Sequence, residues 1–211
     1  VFLRGGALSE AARGAITTFS ALGLDVAGRD LEGIRRWYAQ QDAESFLARV
    51  FEMAGIDYAV MTNNPFNDEE VKYLDQDLPC PQCLKHALRI DPLLVAWPDA
   101  AKVLAERGYE VKPEPDRKTF QEVRRFLVDW SNKIQPVYFA ASLGPEFSYP
   151  DGSVRSQLID QAVMPAALEV GVPFAMMIGV RKAVNPALGD GGDAVFFGLA
   201  PDDLRLRLHA A

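Results

Sequence analysis

The sequence of 211 residues has little histidine and lacks common hydrolase motifs. Its two histidines, His86 and His209, do not form an H-x-H or H-x-x-x-H pair of the kind that binds zinc. It also contains no G-x-S-x-G nucleophile turn and no Ser/His/Asp set. These absences exclude a histidine metal cluster and a serine-hydrolase site built from this sequence alone.

Cysteine is equally scarce, since Cys80 and Cys83 form a single C-x-x-C in the segment Pro-Cys-Pro-Gln-Cys. A structural zinc site needs four ligands. A redox-active C-x-x-C normally opens a helix after a strand, which the surrounding residues do not favour. We therefore expect two reduced thiols in a loop.

Long hydrophobic runs and an excess of positive charge are also missing. No apolar run reaches the roughly 18 residues of a membrane-spanning helix, and the first residues do not resemble a secretory signal. The formal net charge of −7 disfavours anionic partners. We therefore expect neither a nucleic-acid nor a membrane partner, and we predict a cytoplasmic location.

The length and the two ends of the sequence predict an incomplete unit. A complete (β/α)8 barrel needs about 250 residues, whereas this sequence has 211. It begins without Met, and the basic and apolar residues 204–209 resemble a helix cut short. We expect truncation at both ends.

Helical patterns fill the first part of the sequence. Three amphipathic segments follow Ser9, Asp30 and Asp42, each of which is a suitable N-cap residue. We predict that residues 1–55 form a helical insertion and that residues 56–211 form an incomplete (β/α) barrel portion.

The remainder alternates between apolar, β-favouring segments and helical ones. The predicted strands cover residues 56–62, 86–91, 136–143 and 173–179, and the helices between them include residues 119–132 and 153–170. At least four strands separated by helices, without a hairpin signal, indicate an α/β fold with parallel strands. A TIM-type barrel and a doubly wound sheet both remain open, although no G-x-G-x-x-G follows a strand.

Polar residues follow each predicted strand, where the loops of parallel βα units converge on a ligand site. They lie in residues 62–65, 89–92, 142–146 and 179–193. Arg89 and Asp91, two residues apart on a strand, should project on the same side. Arg181 and Asn185 begin the long polar segment after the last strand, where a guanidinium can grip a carboxylate. In each case a purely structural Arg–Asp pair is the alternative.

These strand ends resemble those of the uronate isomerases, which belong to the amidohydrolase superfamily of metal-dependent barrels. The matching motifs appear in order along nearly the whole sequence: T-N-N-P at residues 62–65, R-I-D at 89–91, and I-G-V-R at 178–181 followed by Asn185 and by G-D at 189–190. The resemblance implies a partial (β/α)8 barrel with an N-terminal helical insertion. It also implies aldose–ketose isomerisation of a sugar acid, such as D-glucuronate to D-fructuronate.

The resemblance further implies roles for individual residues. Arg89, Asp91 and Arg181 would be catalytic, and the substrate would be bound by Thr62, Asn63, Asn185 and Asp190. A divalent metal, with zinc as the expected ion, would be held by an H-x-H and an Asp that match no position here. We therefore expect its ligands beyond residues 1 and 211, and the sequence also leaves a homo-oligomer open.

Two departures from the family pattern keep other functions open. Met176 and Met177 stand where the family has a histidine, and Ile90 replaces the proline of its R-P-D motif. One alternative is a hydrolase of the same superfamily that acts on a small carboxylated substrate. The other is a fragment without activity.

Overall fold

The computed structural model of the protein describes residues 9–76, 80–181, 184, 185, 187, 194 and 195. The chain divides into two compact units, Val1–Asp57 and Tyr58–Ala211, and each is described by itself. The interpretation of the first segment as an insertion into a barrel stays a prediction.

The first unit contains three helices in its described part: α1 (Glu10–Ala21), α2 (Leu31–Ala39) and α3 (Ala43–Ala54). The N-caps are those predicted, because the side chains of Ser9, Asp30 and Asp42 each accept a hydrogen bond from a backbone N–H in the first turn. The ring of Tyr38 meets those of Trp37 and Phe46 edge to face, with centroids 5.1 and 5.6 Å away. Aromatic packing therefore joins α2 to α3.

The second unit is built on four parallel strands, which confirms the predicted α/β fold. They are β1 (Ala59–Asn63), β2 (Leu84–Arg89), β3 (Phe139–Leu143) and β4 (Phe174–Ile178). Their spatial order follows their order in the sequence, without the reversal that defines a doubly wound sheet. Among the described residues the sheet is not closed, which is consistent with a portion of a (β/α)8 barrel.

Helices connect the strands in the second unit. They are α4 (Asp68–Leu74), α5 (Asp91–Val95), α6 (Trp97–Glu106), α7 (Arg117–Ile134), α8 (Val154–Leu158) and α9 (Met164–Val170). The helix predicted over 153–170 is present, and it contains a π-helical turn at Ile159–Val163 between α8 and α9. Pro165, which has no N–H and crowds the preceding turn, is the second residue of α9 and lies two residues after the end of this turn.

The two faces of the sheet have different surroundings. The register places Leu88 beside Phe139 and Phe139 beside Phe174. These three side chains project on what we call the helix face, where they join the core formed with the helices. Phe126, fully buried on α7, lies in the same core. Burial against this face gives the sheet its hydrophobic support.

Residues that alternate with the core positions project on the opposite side, which we call the open face. It carries Ala87 and Arg89 on β2, Ala140 and Ser142 on β3, and Met177 on β4. The side chain of Met177 is 49% exposed, which is consistent with a sheet that is not closed into a barrel. Side chains that bind a ligand in a barrel lie on this face or at the carboxyl ends of its strands.

Candidate functional site

An ion pair between Arg89 and Asp91 lies at the carboxyl end of β2. The Nε of Arg89 donates to Oδ2 of Asp91 over 2.9 Å, and its Nη2 lies 3.3 Å from Oδ1. Such a two-point contact fixes the plane of the guanidinium as well as its position. The side chain of Arg89 is 39% exposed, whereas that of Asp91 is only 11% exposed. Asp91 is thus the buried partner that holds a more accessible cation.

The position of Asp91 differs from the one predicted. We placed Arg89 and Asp91 on one strand, but β2 ends at Arg89 and Asp91 is the first residue of α5. Pro92 favours this helix start because the first turn of a helix needs no N–H from it. The two side chains nevertheless meet, since the chain turns directly into the helix.

Asp91 also ties β2 to β3. Its Oδ1 accepts a hydrogen bond from the backbone N–H of Ser142 over 3.0 Å. The hydrogen bond that Arg89 donates to Asp91 raises the pKa of Arg89, with a further contribution from the charges of Asp91 and Glu70. Arg89 therefore remains a cation at the rim of the sheet.

A cavity of about 630 Å³ opens beside this ion pair, within the range of roughly 300–1,000 Å³ typical of small-molecule sites. Its lining brings together charged and polar residues from three strand ends: Arg89, Asp91, Ser142, Glu146 and Arg181. Arg181 belongs to β5 (Val180–Arg181), which follows β4 and pairs with β6 (Ala194–Val195). The predicted convergence of Arg89, Asp91 and Arg181 is present, while their catalytic role stays a prediction.

Thr62 and Asn63, both predicted to bind substrate, point to opposite sides of the sheet. Thr62 lies beside Ala87 and is exposed on the open face. The Oδ1 of Asn63 lies 2.7 Å from Nδ1 of His86, on the helix face. An amide oxygen can only accept a hydrogen bond, so the Nδ1 of His86 must carry the proton in this contact. Burial lowers the pKa of His86, which favours the neutral ring. Asn63 therefore has a structural partner away from Arg89, and this geometry gives its predicted role no support.

The other two predicted substrate contacts follow β5. The Oδ1 of Asn185 accepts a hydrogen bond from the backbone N–H of Ala187 over 3.2 Å, a local turn contact. Asn185 is exposed and is not among the residues that line the cavity. Asp190 lies outside the described residues. Both assignments stay predictions.

Glu146 and Ser142 are cavity residues to which the sequence argument assigned no role. Both lie in one of the four strand ends singled out above, so their position was available from the pattern. The missing signal was the hydrogen bond from the Ser142 backbone to Asp91, which depends on the register between β2 and β3. Such contacts between distant residues leave no local mark in a sequence.

The two cysteines are free thiols, as predicted, and Cys80 is exposed. In the part of the chain that the structure describes, no group of three or more His, Cys, Asp or Glu side chains is arranged to hold a metal ion. The described residues thus do not by themselves fit the metal that the family resemblance implies. Within the same residues, no helix is both long and apolar enough to cross a membrane.

Consecutive parallel βα units with charged side chains at their carboxyl ends define the class as that of the (β/α)-barrel proteins. The solved structure of a uronate isomerase from Bacillus halodurans matches 99% of this chain with a TM-score of 0.88 and 40% sequence identity. This chain is therefore related to the uronate isomerases by sequence as well as by fold, which confirms the resemblance to this family. It spans about half, 49%, of that chain.

Two more distant structures share the fold alone. A uronate isomerase from Thermotoga maritima matches 75% of this chain with a TM-score of 0.55 and 14% identity, and the chain covers 42% of it. A glucuronate isomerase from Caulobacter crescentus matches 76% with a TM-score of 0.51 and 13% identity, and the chain covers 40% of it. No family model matches the sequence, and the search of curated proteins found no match.

Proposed function

We propose that this chain forms the anion-binding part of an aldose–ketose isomerase that converts a hexuronate, such as D-glucuronate, into the corresponding ketose. The observation that carries the proposal is the lining of one strand-end cavity by two arginines, Arg89 and Arg181. The relationship to a uronate isomerase at 40% identity supports the same substrate class. A cytoplasmic location and a sugar-acid ligand belong to this proposal.

The chemistry of the reaction explains why two cations are useful. Isomerisation moves a proton between C2 and C1 through a cis-enediol, and negative charge develops on the carbonyl oxygen. A hexuronate also carries a permanent carboxylate at its other end. One cation is therefore needed to bind the carboxylate, and another stabilises the charge that appears only during the reaction.

The surroundings of the two arginines divide these roles between them. Arg89 is held at two points by Asp91, so its remaining N–H groups are fixed before the substrate binds. Fixed donors stabilise developing charge most effectively, because they need no reorganisation during the reaction. Arg181 is exposed at the edge of the cavity, where it is suited to take the substrate carboxylate.

Asp91 acts in this proposal as a positioning residue. Both of its carboxylate oxygens already accept hydrogen bonds, from Arg89 and from the Ser142 backbone. A carboxylate whose two oxygens are directed at protein donors in this way is not placed to reach the substrate proton at C2. The role of Asp91 is thus to fix Arg89 and not to remove the C2 proton.

A divalent metal, zinc by the family resemblance, remains part of the proposal for the complete gene product. When bound, such an ion polarises the substrate carbonyl. The described residues supply no site for it, so the contribution derived for them is restricted to binding and orienting the substrate.

A second candidate is hydrolysis of a small carboxylated substrate by a barrel of the same superfamily. It stays open because Met176 and Met177 stand where the family has a histidine, and Met177 projects on the open face. A thioether neither donates a proton nor polarises a carbonyl. The cavity and its arginines would serve this activity as carboxylate binders.

The test uses the complete gene product, supplied with zinc and incubated with D-glucuronate in D₂O. Isomerisation predicts formation of the ketose with deuterium entering at C1, detected by NMR. Hydrolysis of ester or amide substrates without conversion of the hexuronate would favour the second candidate. Absence of both activities in a folded, zinc-loaded protein would overturn both proposals.

A further inference from the structure

Glu146 contributes a carboxylate to the cavity that no described residue engages. It lines the cavity together with Arg89 and Arg181, and in the part of the chain that the structure describes its carboxylate makes no hydrogen bond or ion pair. Asp91, the other carboxylate in the lining, is occupied by Arg89 and the Ser142 backbone. Glu146 is therefore the lining carboxylate whose acceptor oxygens remain available for a ligand.

The carboxylate of the exposed Glu146 lies against the backbone of Gly144. A Cβ added at Gly144 would lie only 2.3 Å from Oε1 and 2.4 Å from Oε2 of Glu146. The side chain thus folds back over the end of β3, in space that exists because residue 144 is glycine. Gly144 does not have a positive φ, so its backbone conformation is open to other residues. Glycine matters at this position because it has no side chain.

The combination of charges in the cavity suits a ligand with two chemically different ends. The arginines attract a carboxylate, while Glu146 repels one and accepts hydrogen bonds from hydroxyl groups. A sugar acid has its carboxylate at one end and a series of hydroxyls along the chain. It can satisfy both kinds of group in only one orientation.

We propose that Glu146 is a specificity-determining residue that accepts hydrogen bonds from the sugar hydroxyls while the arginines bind the anionic groups. This inference rests on the proposed function, because it takes a hexuronate as the ligand. In this role Glu146 distinguishes substrates by the configuration of their hydroxyl groups. Substrates that differ only in the orientation of one hydroxyl, such as D-glucuronate and D-galacturonate, should therefore be discriminated through this side chain.

Two variants test the inference in different ways. Glu146→Gln keeps the size of the side chain and removes its charge. Gly144→Ala keeps the charge and forces the flexible end of Glu146 to move, because a methyl group would occupy its present space. Glu114→Gln serves as the matched control, since Glu114 is exposed and does not line the cavity.

The measurements are kcat and KM for both epimers with the complete gene product, together with calorimetric binding of each hexuronate. A hydrogen bond to a charged group contributes about 1.5–3 kcal/mol, so we expect the ratio of kcat/KM between the epimers to fall on the order of tenfold or more. The change should appear mainly in KM for both test variants. Glu114→Gln should leave the ratio unchanged.

The outcomes separate this inference from the proposed function. If the wild-type protein isomerises hexuronates and both test variants retain its KM values and its preference, the role of Glu146 is overturned and the proposed function stands. If the wild-type protein has no isomerase activity, the proposed function fails and calorimetry decides the inference. Weaker hexuronate binding by Glu146→Gln would then support it, and equal or absent binding would overturn it.

Discussion

Asp91 joins the carboxyl ends of two neighbouring strands through a single side chain. Its Oδ1 accepts hydrogen bonds from the backbone N–H of Ser142 over 3.0 Å and from Nη2 of Arg89 over 3.3 Å. Its Oδ2 accepts a hydrogen bond from Nε of Arg89 over 2.9 Å. The same carboxylate therefore orients a cation of the cavity and secures the start of α5 against β3.

Replacement of Asp91 should accordingly reduce both stability and function. Asp91→Asn removes the charge and one acceptor oxygen, which leaves donors of Arg89 and Ser142 without their full set of partners. We expect a loss of about 1–3 kcal/mol in the free energy of unfolding, measured by urea denaturation. Asp99→Asn is the control, because its exposed pair with Lys102 should contribute roughly 0–0.5 kcal/mol. Equal losses in the two variants would contradict a structural role for Asp91.

Arg181 should affect substrate binding and turnover. Arg181→Met removes the charge that we assign to the substrate carboxylate, and we expect kcat/KM for D-glucuronate to fall on the order of a hundredfold, mainly through KM. Arg181→Lys should recover only part of the loss, because an ammonium group does not match a carboxylate at two points. Steady-state kinetics of the complete gene product measure both effects.

The control for this prediction is Arg117→Met on the outer surface of α7, where the arginine is exposed and does not line the cavity. It should leave the kinetic constants unchanged. If Arg181→Met behaves like Arg117→Met, the assignment of Arg181 to substrate binding is wrong.

His86 should make stability depend on pH in a defined direction. Burial lowers its pKa, so the folded protein binds the proton less tightly than the unfolded chain, whose histidine has a pKa of about 6.5. The stabilising contribution is therefore complete above that value and is lost as the pH falls from there through the lower pKa of the folded state. Urea denaturation at several pH values between about 7 and 5 measures it.

His86→Gln provides the comparison, because glutamine keeps a donor for Asn63 and does not titrate. The variant should lose less stability over this pH interval than the wild-type protein does. An identical pH dependence in the two proteins would show that His86 is not the group responsible.

The aromatic core around Phe126 should be sensitive to truncation. Phe126 is fully buried, and its ring lies 5.4 Å from that of Phe66 and 5.3 Å from that of Tyr109. Phe126→Ala would leave a cavity among these rings and should cost about 3–5 kcal/mol in the free energy of unfolding. Leu168→Ala, at a position that is 62% exposed, should cost far less. Similar costs would place Phe126 outside the cooperative core.

The parts of this structure that depend on local patterns were predictable from the sequence. The caps at Ser9, Asp30 and Asp42 and the buried stripe of α7 follow from residue type and helical spacing alone. The existence of four parallel strands follows from the alternation of apolar and helical segments.

The parts of the structure that depend on long-range contacts were not predictable from the sequence. The pattern could not choose between a barrel and a doubly wound sheet, because strand order is a property of pairing and not of composition. The pattern also assigned the same role to Thr62 and Asn63, although they project on opposite faces of the sheet. The register between β1 and β2 decides which of the two side chains faces His86. The open carboxylate of Glu146 depends in turn on the small space above Gly144.

The separation between the helix face and the open face of the sheet determines what effect an amino-acid substitution has on this protein. Along β2 and β3 a side chain that supports the fold alternates with one that lines the cavity, as Leu88 does with Arg89 and Ala141 with Ser142. Under the proposed function, a substitution on the open face would therefore alter which sugar acid is accepted while the packing on the helix face stays intact. In an enzyme of the proposed class, single replacements on such a sheet would give new substrate preferences without a compensating change in the core.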